Sequence, residues 1–368
     1  AGARAGDGTP PVFVPLKIGG QTVPNRIASA PTYLDAAPDG LVGDDYLVHA
    51  GTRAMGGAGL VFAGVAAVSR EGRLTPRTPG MYRPQHADSW ARVVDYIRGR
   101  SHALPAIRLT HAGARAAIER PWPGEDTPIV DPWRQLAASP VPYGERWRTP
   151  TPVNDDDVEA IVARYARAVE LADAAGFGLI ELDFADGGLL ASFLSPLTNR
   201  REDDYGGSLD GRMRLAGRLV AAAREHLSEL KALSVRICAD DGADGGITPA
   251  DAVAMASNFS SLGADLITVT AGYTLDGLRP AESRAYSVVL SDQVRLDGGV
   301  VTMAEGGLWS ADDVCSAVAA GRADLCALER AMLFDPNFAR RAAFDYGIEL
   351  PWPDRYFRAR GYRPRDRY

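Results

Sequence analysis

The chain alternates short apolar runs with longer segments in which apolar residues recur every three to four positions. Near-continuous apolar runs are typical of strands buried on both faces of a parallel sheet, and the longer period is typical of helices that cover such a sheet. Eight runs predict strands at 26–31, 59–68, 104–112, 179–186, 233–240, 266–273, 300–307 and 325–333. The clearest helical segments are 155–175, 208–230, 249–262 and 310–320, and a weaker pattern covers 283–296.

Eight strand–helix units in one chain predict an α/β fold, a closed (β/α)8 TIM barrel, rather than an open doubly wound sheet. We expect a disordered lead-in at 1–12, the barrel at 13–346 and a C-terminal tail at 347–368. The segment 114–154 after the third strand is long and rich in proline and tryptophan. We interpret it as a packed lid over the barrel mouth, and a surface flap without a substrate role is the alternative.

Charge and cysteine usage narrow the functional classes. The formal net charge is -7 and no long basic run occurs, so nucleic acid and anionic membrane surfaces are poor candidate partners. No apolar stretch is long enough to span a bilayer, and no secretory signal is recognisable. Cys238, Cys315 and Cys326 lack the spacing of a disulfide framework or a metal site, which favours a cytoplasmic location. No metal is expected, because few histidines lie near strand ends.

Polar side chains at the predicted strand ends are the candidate catalytic groups, because the active site of a parallel barrel gathers at the carboxyl ends of its strands. This rule marks the segments 31–33, 108–111, 183–186, 236–240, 271–273, 305–307 and 329–330. Within them the candidate catalytic residues are Arg108, His111, Asp183, Asp186 and Tyr273. Two neighbouring carboxylates can differ in pKa, so that one acts as a base and the other as an acid. A structural ion pair with Arg108 is the alternative role for the two aspartates.

Four segments carry a family resemblance: PLKIGGQTVPNRI (15–27), RAMGGAGLV (53–61), FLSPLTNRREDDYGGSLDGRMR (193–214) and AGRADLCALERAMLFDP (320–336). Through them the chain resembles the old yellow enzyme family. RADLCAL and the tail segment PWPDRY are most similar to the reductase domain of salicylyl-CoA and anthraniloyl-CoA monooxygenase/reductases. The resemblance implies FMN at the barrel mouth, NADPH as reductant, and hydride transfer to an activated C=C. It also implies a small-molecule carbonyl or acyl substrate, and the similarity to the aryl-CoA reductases implies a bulky, CoA-linked acyl thioester or an aromatic-derived enone.

Several positions match the flavin-binding positions that the resemblance implies. They are Arg236 beside flavin N1 and O2, Pro31 and Thr32 beside N5, and Gly306, Gly307 and Arg330 at the phosphate. Others depart from the family pattern. Arg108 stands in place of a glutamine, and Asp183 and Asp186 stand in place of a histidine/histidine or histidine/asparagine pair. Glu305 and Glu329 add negative charge beside the phosphate positions, which opposes binding of a phosphate dianion.

These departures lead to three hypotheses. The favoured one is an enzyme without a cofactor that has lost tight FMN binding and performs acid/base chemistry on an enolisable carbonyl, such as isomerisation, cyclisation or C–C bond chemistry. The second is an FMN- and NADPH-dependent ene-reductase in which Tyr273 or His111 replaces the missing donor. The third is a non-catalytic binding protein. A homo-oligomer is compatible with the basic, aromatic tail, which either caps the barrel, reaches a neighbouring subunit or is solvated.

Overall fold

The computed structural model describes residues 8–120, 126–280 and 283–361. Its centre is a closed barrel of eight parallel strands. In spatial order these are β3 (Ile27–Ser29), β4 (Leu60–Ala67), β5 (Leu104–Thr110), β8 (Leu179–Phe184), β9 (Ala232–Cys238), β10 (Leu266–Thr270), β11 (Thr302–Glu305) and β12 (Leu325–Leu328), which pairs with β3. A hairpin, β1 (Leu16–Ile18) with β2 (Gln21–Val23), precedes the barrel, and β6 (Leu136–Ala137) pairs with β7 (Thr151–Pro152) in the long loop. The TIM-barrel prediction is confirmed.

Helices surround the barrel. They are α1 (Asp44–Met55), α2 (Pro84–Arg100), α3 (Asp155–Ala174), α4 (Leu189–Leu194), α5 (Leu209–His226), α6 (Pro249–Ser261), α7 (Tyr286–Gly298), α8 (Ala311–Ala319), α9 (Arg330–Phe334) and α10 (Phe338–Asp345). None of those within the described ranges is long and apolar enough to cross a lipid bilayer.

Local sequence fixes where several of these helices begin. Asn154, Thr248 and Ser310 each accept a hydrogen bond from the backbone N–H three residues later, and an aspartate at that later position bonds back to the capping residue. These reciprocal bonds satisfy backbone donors that a helix start leaves without partners. The acids also lie at the positive end of the helix dipole.

Two apolar layers hold the architecture together. Every barrel strand contributes to the inner layer, which the hairpin residues Ile18 and Val23 also join. The outer layer lies between strands and helices, where Trp90 packs edge-on against Tyr46 and Phe177 at ring-centroid distances of 5.4 and 5.9 Å. The filled interior confines the functional cavity to one end of the barrel.

The long loop after β5 packs on the barrel through a separate apolar cluster. Tyr143 and Trp147 are buried there together with Leu74 and Ile118. Residues 121–125, which include Trp122, lie outside the described residues, as do 1–7 of the expected lead-in and 362–368 of the tail. The 3-10 turn Pro11–Phe13 spans the predicted boundary between the lead-in and the barrel.

Candidate functional site

A cavity of about 300 Å3 opens at the carboxyl ends of the barrel strands. Its wall includes one residue from each of seven barrel strands: Val65, Arg108, Asp183, Arg236, Thr270, Glu305 and Ala327. The loops and helix starts beyond the strands add Pro31, Tyr33, Arg115, Asp186, Tyr273, Tyr286, Gly306, Gly307, Leu308, Glu329 and Arg330. The site therefore lies where the parallel-barrel rule predicts it.

Arg108 is buried near the end of β5 and is held by two glutamates. Its Nε donates to Glu181 Oε1 at 2.6 Å, and its Nη1 donates to Glu305 Oε1 at 3.2 Å. Burial alone would lower the pKa of Arg108, but the two carboxylates outweigh burial and raise it. The pairing with Asp183 and Asp186 predicted for Arg108 is therefore not the one observed.

Arg236, on β9, makes the contacts with the aspartates instead. Its Nη1 lies 3.1 Å from Asp183 Oδ1 and 2.8 Å from Asp186 Oδ2, and its Nη2 lies 3.0 Å from Glu305 Oε1. These acids raise its pKa well above the ordinary value, although burial opposes the shift. Arg236 is thus a permanent cation in the cavity wall.

Glu305 is the last residue of β11 and joins the two arginines. It accepts hydrogen bonds from both nitrogens at the tip of the Arg108 guanidinium and from Arg236 Nε at 3.1 Å. Its side chain is 14% exposed. Burial would raise the pKa of Glu305, but Arg108 and Arg236 outweigh burial and lower it to about 2. Its carboxylate is therefore charged at neutral pH.

Glu181 completes this ion-pair network and was not among the predicted site residues. It is fully buried on β8, where its Oε2 accepts a hydrogen bond from Ser234 at 2.9 Å and another from Thr268. Its signal in the sequence is its position two residues before Asp183, because alternate residues of a strand point to the same side.

The two predicted aspartates differ in environment. Burial raises the pKa of Asp183, and the neighbouring arginines only partly offset this effect. Asp186 has φ of 53°, a left-handed conformation, and its Oδ1 is buried without a hydrogen-bond partner among the described residues. Asp183 is thus suited to hold a proton, whereas Asp186 presents an unused acceptor.

Tyr286 covers the two glycines that follow β11. Gly306 and Gly307 have φ of 124° and 70°, which side chains rarely tolerate. A Cβ atom on Gly306 would overlap the hydroxyl oxygen of Tyr286, and one on Gly307 would lie 2.9 Å from its ring. Burial raises the pKa of Tyr286 to about 12. Nothing in the sequence had marked this tyrosine as part of the site.

The remaining predicted residues separate into two groups. Pro31, Tyr273 and Arg330 line the cavity, and Thr32 donates a hydrogen bond of 3.5 Å to Glu329 at its edge. His111 is not one of the described residues that line the cavity. It is buried, accepts a hydrogen bond from Gly113 N at 3.2 Å, and has a pKa lowered by burial to about 4.

Arg115 and Tyr33 also line the cavity. Tyr33 lies in a segment that the strand-end rule had marked, whereas Arg115 was missed by the sequence analysis. Arg115 ends a short turn after β5, pairs with Asp126 at 2.9 Å, and its guanidinium lies 5.5 Å from the ring centroid of Tyr143. The long loop therefore contributes a cation to the cavity and an aromatic ring that supports it. A polar residue in the loop after a barrel strand was the signal available for Arg115.

FMN, which the resemblance implies, can be tested against this wall. The cations Arg236 and Arg330 and the two glycines border one cavity, which suits an anionic flavin with a phosphate group. Glu305 and Tyr286 lie among these groups. The two arginines and the glycine backbone are the kinds of hydrogen-bond donor that FMN needs. The side chains of Glu305 and Tyr286 occupy space beside these donors.

Comparison with known proteins gives a full-length match. Residues 11–348 match the model of the NADH:flavin oxidoreductase / NADH oxidase family. The NADPH dehydrogenase of Geobacillus sp. (strain WCH70) is 32% identical over 96% of this chain and 98% of its own length. The NADPH dehydrogenase of Listeria monocytogenes serotype 4a is 32% identical over 95% of this chain and 98% of its own length.

Solved structures agree on the fold. Morphinone reductase superposes with a TM-score of 0.76 at 24% identity, covering 94% of this chain and 92% of its own. A 2-naphthoyl-CoA reductase complex gives a TM-score of 0.81 at 22% identity over 92% of this chain. This chain spans about half, 52%, of that reductase chain.

These matches correct the favoured hypothesis from sequence. A cofactor-free acid/base enzyme is wrong, because the matching family consists of flavin oxidoreductases and the relatives over nearly the whole chain are NADPH dehydrogenases. Loss of the flavin therefore does not follow from the charge changes at Arg108, Asp183, Asp186 and Glu305. The resemblance to the old yellow enzymes is confirmed, and the chain belongs to the NADH:flavin oxidoreductase / NADH oxidase family.

Proposed function

We propose that this protein is an FMN- and NADPH-dependent oxidoreductase that reduces a C=C bond conjugated to a carbonyl or acyl group. The observation that carries the proposal is the match of nearly the whole chain to flavin oxidoreductases, with relatives that are NADPH dehydrogenases. Arg236 and Arg330 at one cavity support it. When bound, FMN would supply the hydride chemistry. The protein's own groups would bind the cofactor, orient the substrate and protonate it.

Arg236 and Arg330 would hold the two anionic parts of the cofactor. Arg236 is a buried, permanent cation, which suits a reduced, anionic flavin ring. Arg330 begins α9 beside Gly306 and Gly307 in the cavity wall, which suits the phosphate. Because the two glycines carry no side chains, their backbone N–H groups would be able to approach a phosphate closely.

Asp183 would act on the substrate in the position where the resemblance implies a histidine. Its raised pKa means that it takes up a proton more readily than an ordinary aspartate, and in the protonated form it would donate to a carbonyl oxygen or to the carbon next to it. Tyr273, with φ of 61°, lines the same cavity and is a second candidate donor. A protonated carboxyl thus serves as the donor without requiring a histidine.

The substrate is proposed as a small enone or an unsaturated acyl thioester. Cavity residues Tyr33 and Tyr273 offer aromatic surface, and Arg115 offers a cation at the loop side. This combination suits a conjugated group that continues into an anionic portion.

An absorption spectrum of the purified protein, followed by titration with FMN, tests the proposal. We expect flavin bands that bleach when NADPH is added without oxygen and return when an enone such as 2-cyclohexenone is supplied. Arg236→Met should weaken FMN binding, whereas Arg92→Met, at an exposed ion pair with Asp44, should not. A protein that takes up no FMN under saturating conditions would refute the proposed function.

A further inference from the structure

Two side chains of the protein contact residues that, by the family resemblance, would hold FMN. Glu305 joins the guanidiniums of Arg108 and Arg236, and the Tyr286 ring covers Gly306 and Gly307. Glu305 is the last residue of β11, and Tyr286 is the first residue of α7, the helix that comes before β11 in the chain. The cavity is thus partly filled by the protein itself.

Glu305 competes with a ligand for the same donors. Four guanidinium nitrogens of Arg108 and Arg236 contact its two oxygens. A carboxylate and the pyrimidine edge of a flavin both accept hydrogen bonds, so they compete for these nitrogens. The arginines keep other partners if Glu305 departs, because Glu181 holds Arg108 and Asp183 holds Arg236.

Tyr286 competes for space rather than for hydrogen bonds. Its hydroxyl and ring lie against the open faces of both glycines, where a side chain on either residue would meet them. The φ angles of 124° and 70° make this backbone a surface that only glycine keeps open. A phosphate that approaches the glycine backbone must therefore displace the phenol ring.

We propose that Glu305 and Tyr286 are internal occupants of the flavin site that FMN displaces, and that they set the affinity of this protein for flavins. This inference rests on the proposed function, because it concerns the same cofactor. The two occupants act on different parts of FMN: Tyr286 opposes the phosphate, and Glu305 opposes the ring. Tyr286 therefore discriminates between FMN and riboflavin, which lacks the phosphate, whereas Glu305 does not.

The first test removes the phenol ring. We expect Tyr286→Ala to lower the Kd for FMN, measured by quenching of flavin fluorescence, by roughly fivefold, which corresponds to about 1 kcal/mol for one displaced contact. Its Kd for riboflavin should stay within about twofold of wild type. Tyr356→Ala, at an exposed tyrosine near the C-terminus, is the matched control and should change neither value.

The second test removes the charge of Glu305 while keeping its shape. We expect Glu305→Gln to lower the Kd for FMN and for riboflavin by a similar factor, roughly tenfold, because a neutral amide holds guanidiniums less strongly. Glu159→Gln, at an exposed ion pair with Arg218, is the matched control. A thermal melt verifies folding, and Tyr286→Ala decides the question alone if Glu305→Gln does not fold.

The outcomes separate this inference from the function on which it rests. If wild type binds FMN and both variants bind it no more tightly, the internal-occupant inference is overturned and the flavoenzyme proposal stands. Equal tightening of FMN and riboflavin by Tyr286→Ala would overturn the assignment of Tyr286 to the phosphate. If neither wild type nor the variants bind any flavin, both proposals fail together.

Discussion

Glu181 shows how a single buried carboxylate supports the candidate site. It has no exposed surface, and Arg108, Ser234 and Thr268 satisfy its oxygens. Removing its charge leaves part of the Arg108 guanidinium without its partner in a dry interior. We expect Glu181→Gln to lower the free energy of unfolding by roughly 3–5 kcal/mol in urea titrations. Glu159→Gln at the surface should leave the midpoint unchanged, and a similar midpoint for both variants would contradict the role given to Glu181.

Glu305 predicts how stability responds to acid. Its pKa is lowered from 4.5 to about 2, so the unfolded chain takes up this proton before the folded protein does. The contribution of Glu305 to the free energy of unfolding is therefore fully present above pH 4.5, and it is lost as the pH falls towards 2. We expect the stability gap between wild type and Glu305→Gln to be wider at about pH 5 than at about pH 3, in urea unfolding. A gap that stays constant would contradict the ion pairs described for Glu305.

Asp183 predicts how activity responds to pH. If its protonated form donates to the substrate, turnover falls as the pH rises through its raised pKa. Asp183→Asn keeps a hydrogen-bond donor but has no proton to transfer, so we expect kcat to fall by roughly 100-fold and its pH profile to flatten. A lower kcat with an unchanged pH profile would instead assign Asp183 the role of positioning Arg236.

At the scale of elements, the helix caps make a separate prediction. Thr248 begins α6, and its side chain accepts a hydrogen bond from Asp251 N at 3.2 Å. We expect Thr248→Ala to cost about 1 kcal/mol of unfolding free energy, because that backbone donor loses its partner. Ser261→Ala, an exposed position at the other end of the same helix, should have a smaller effect in the same chemical denaturation series. Equal effects at the two ends would contradict the capping explanation.

Elements with a strong period could be predicted from the sequence with little error. The segment 155–175 proved to be Asp155–Ala174, and 249–262 proved to be Pro249–Ser261, because capping residues mark their starts. The weak pattern at 283–296 shifted to Tyr286–Gly298, where Ala285 and Gly299 both adopt left-handed conformations. That shift placed Tyr286 at a helix start facing the glycines, which a period alone does not indicate.

The sequence predicted several residues of the candidate site, but it did not predict which acid pairs with which arginine. The strand-end rule located Arg108, Asp183 and Arg236 because their strands run to the same barrel end. Which acid faces which arginine depends on strand register, and Asp183 lies opposite Arg236 in the β8–β9 pairing. That register depends on the packing of the closed barrel and cannot be read from single positions. Comparing each charged residue with the family pattern one at a time therefore led to the wrong prediction that FMN binding is lost.

At the scale of the molecule, the long loop forms a unit that can loosen without the barrel. Trp147 is buried in the small cluster under this loop, apart from the main core. We expect Trp147→Ala to speed limited proteolysis within 126–154 by roughly 5- to 150-fold, the factor that corresponds to about 1–3 kcal/mol, while the melting temperature of the barrel changes little. Trp309→Ala, at a 56% exposed tryptophan outside the loop, is the control. Unchanged proteolysis would contradict a lid held by this cluster.

The closure of the barrel by β12 against β3 has a consequence for how the protein is made. Cys326 lies opposite Ile27 in this pairing. The first barrel strand, β3, therefore pairs on this edge with a strand from near the other end of the chain. A growing chain on the ribosome cannot complete the sheet until that last strand has emerged. During most of synthesis this edge of β3 is therefore unpaired, and it is open to association with other chains until β12 has been made.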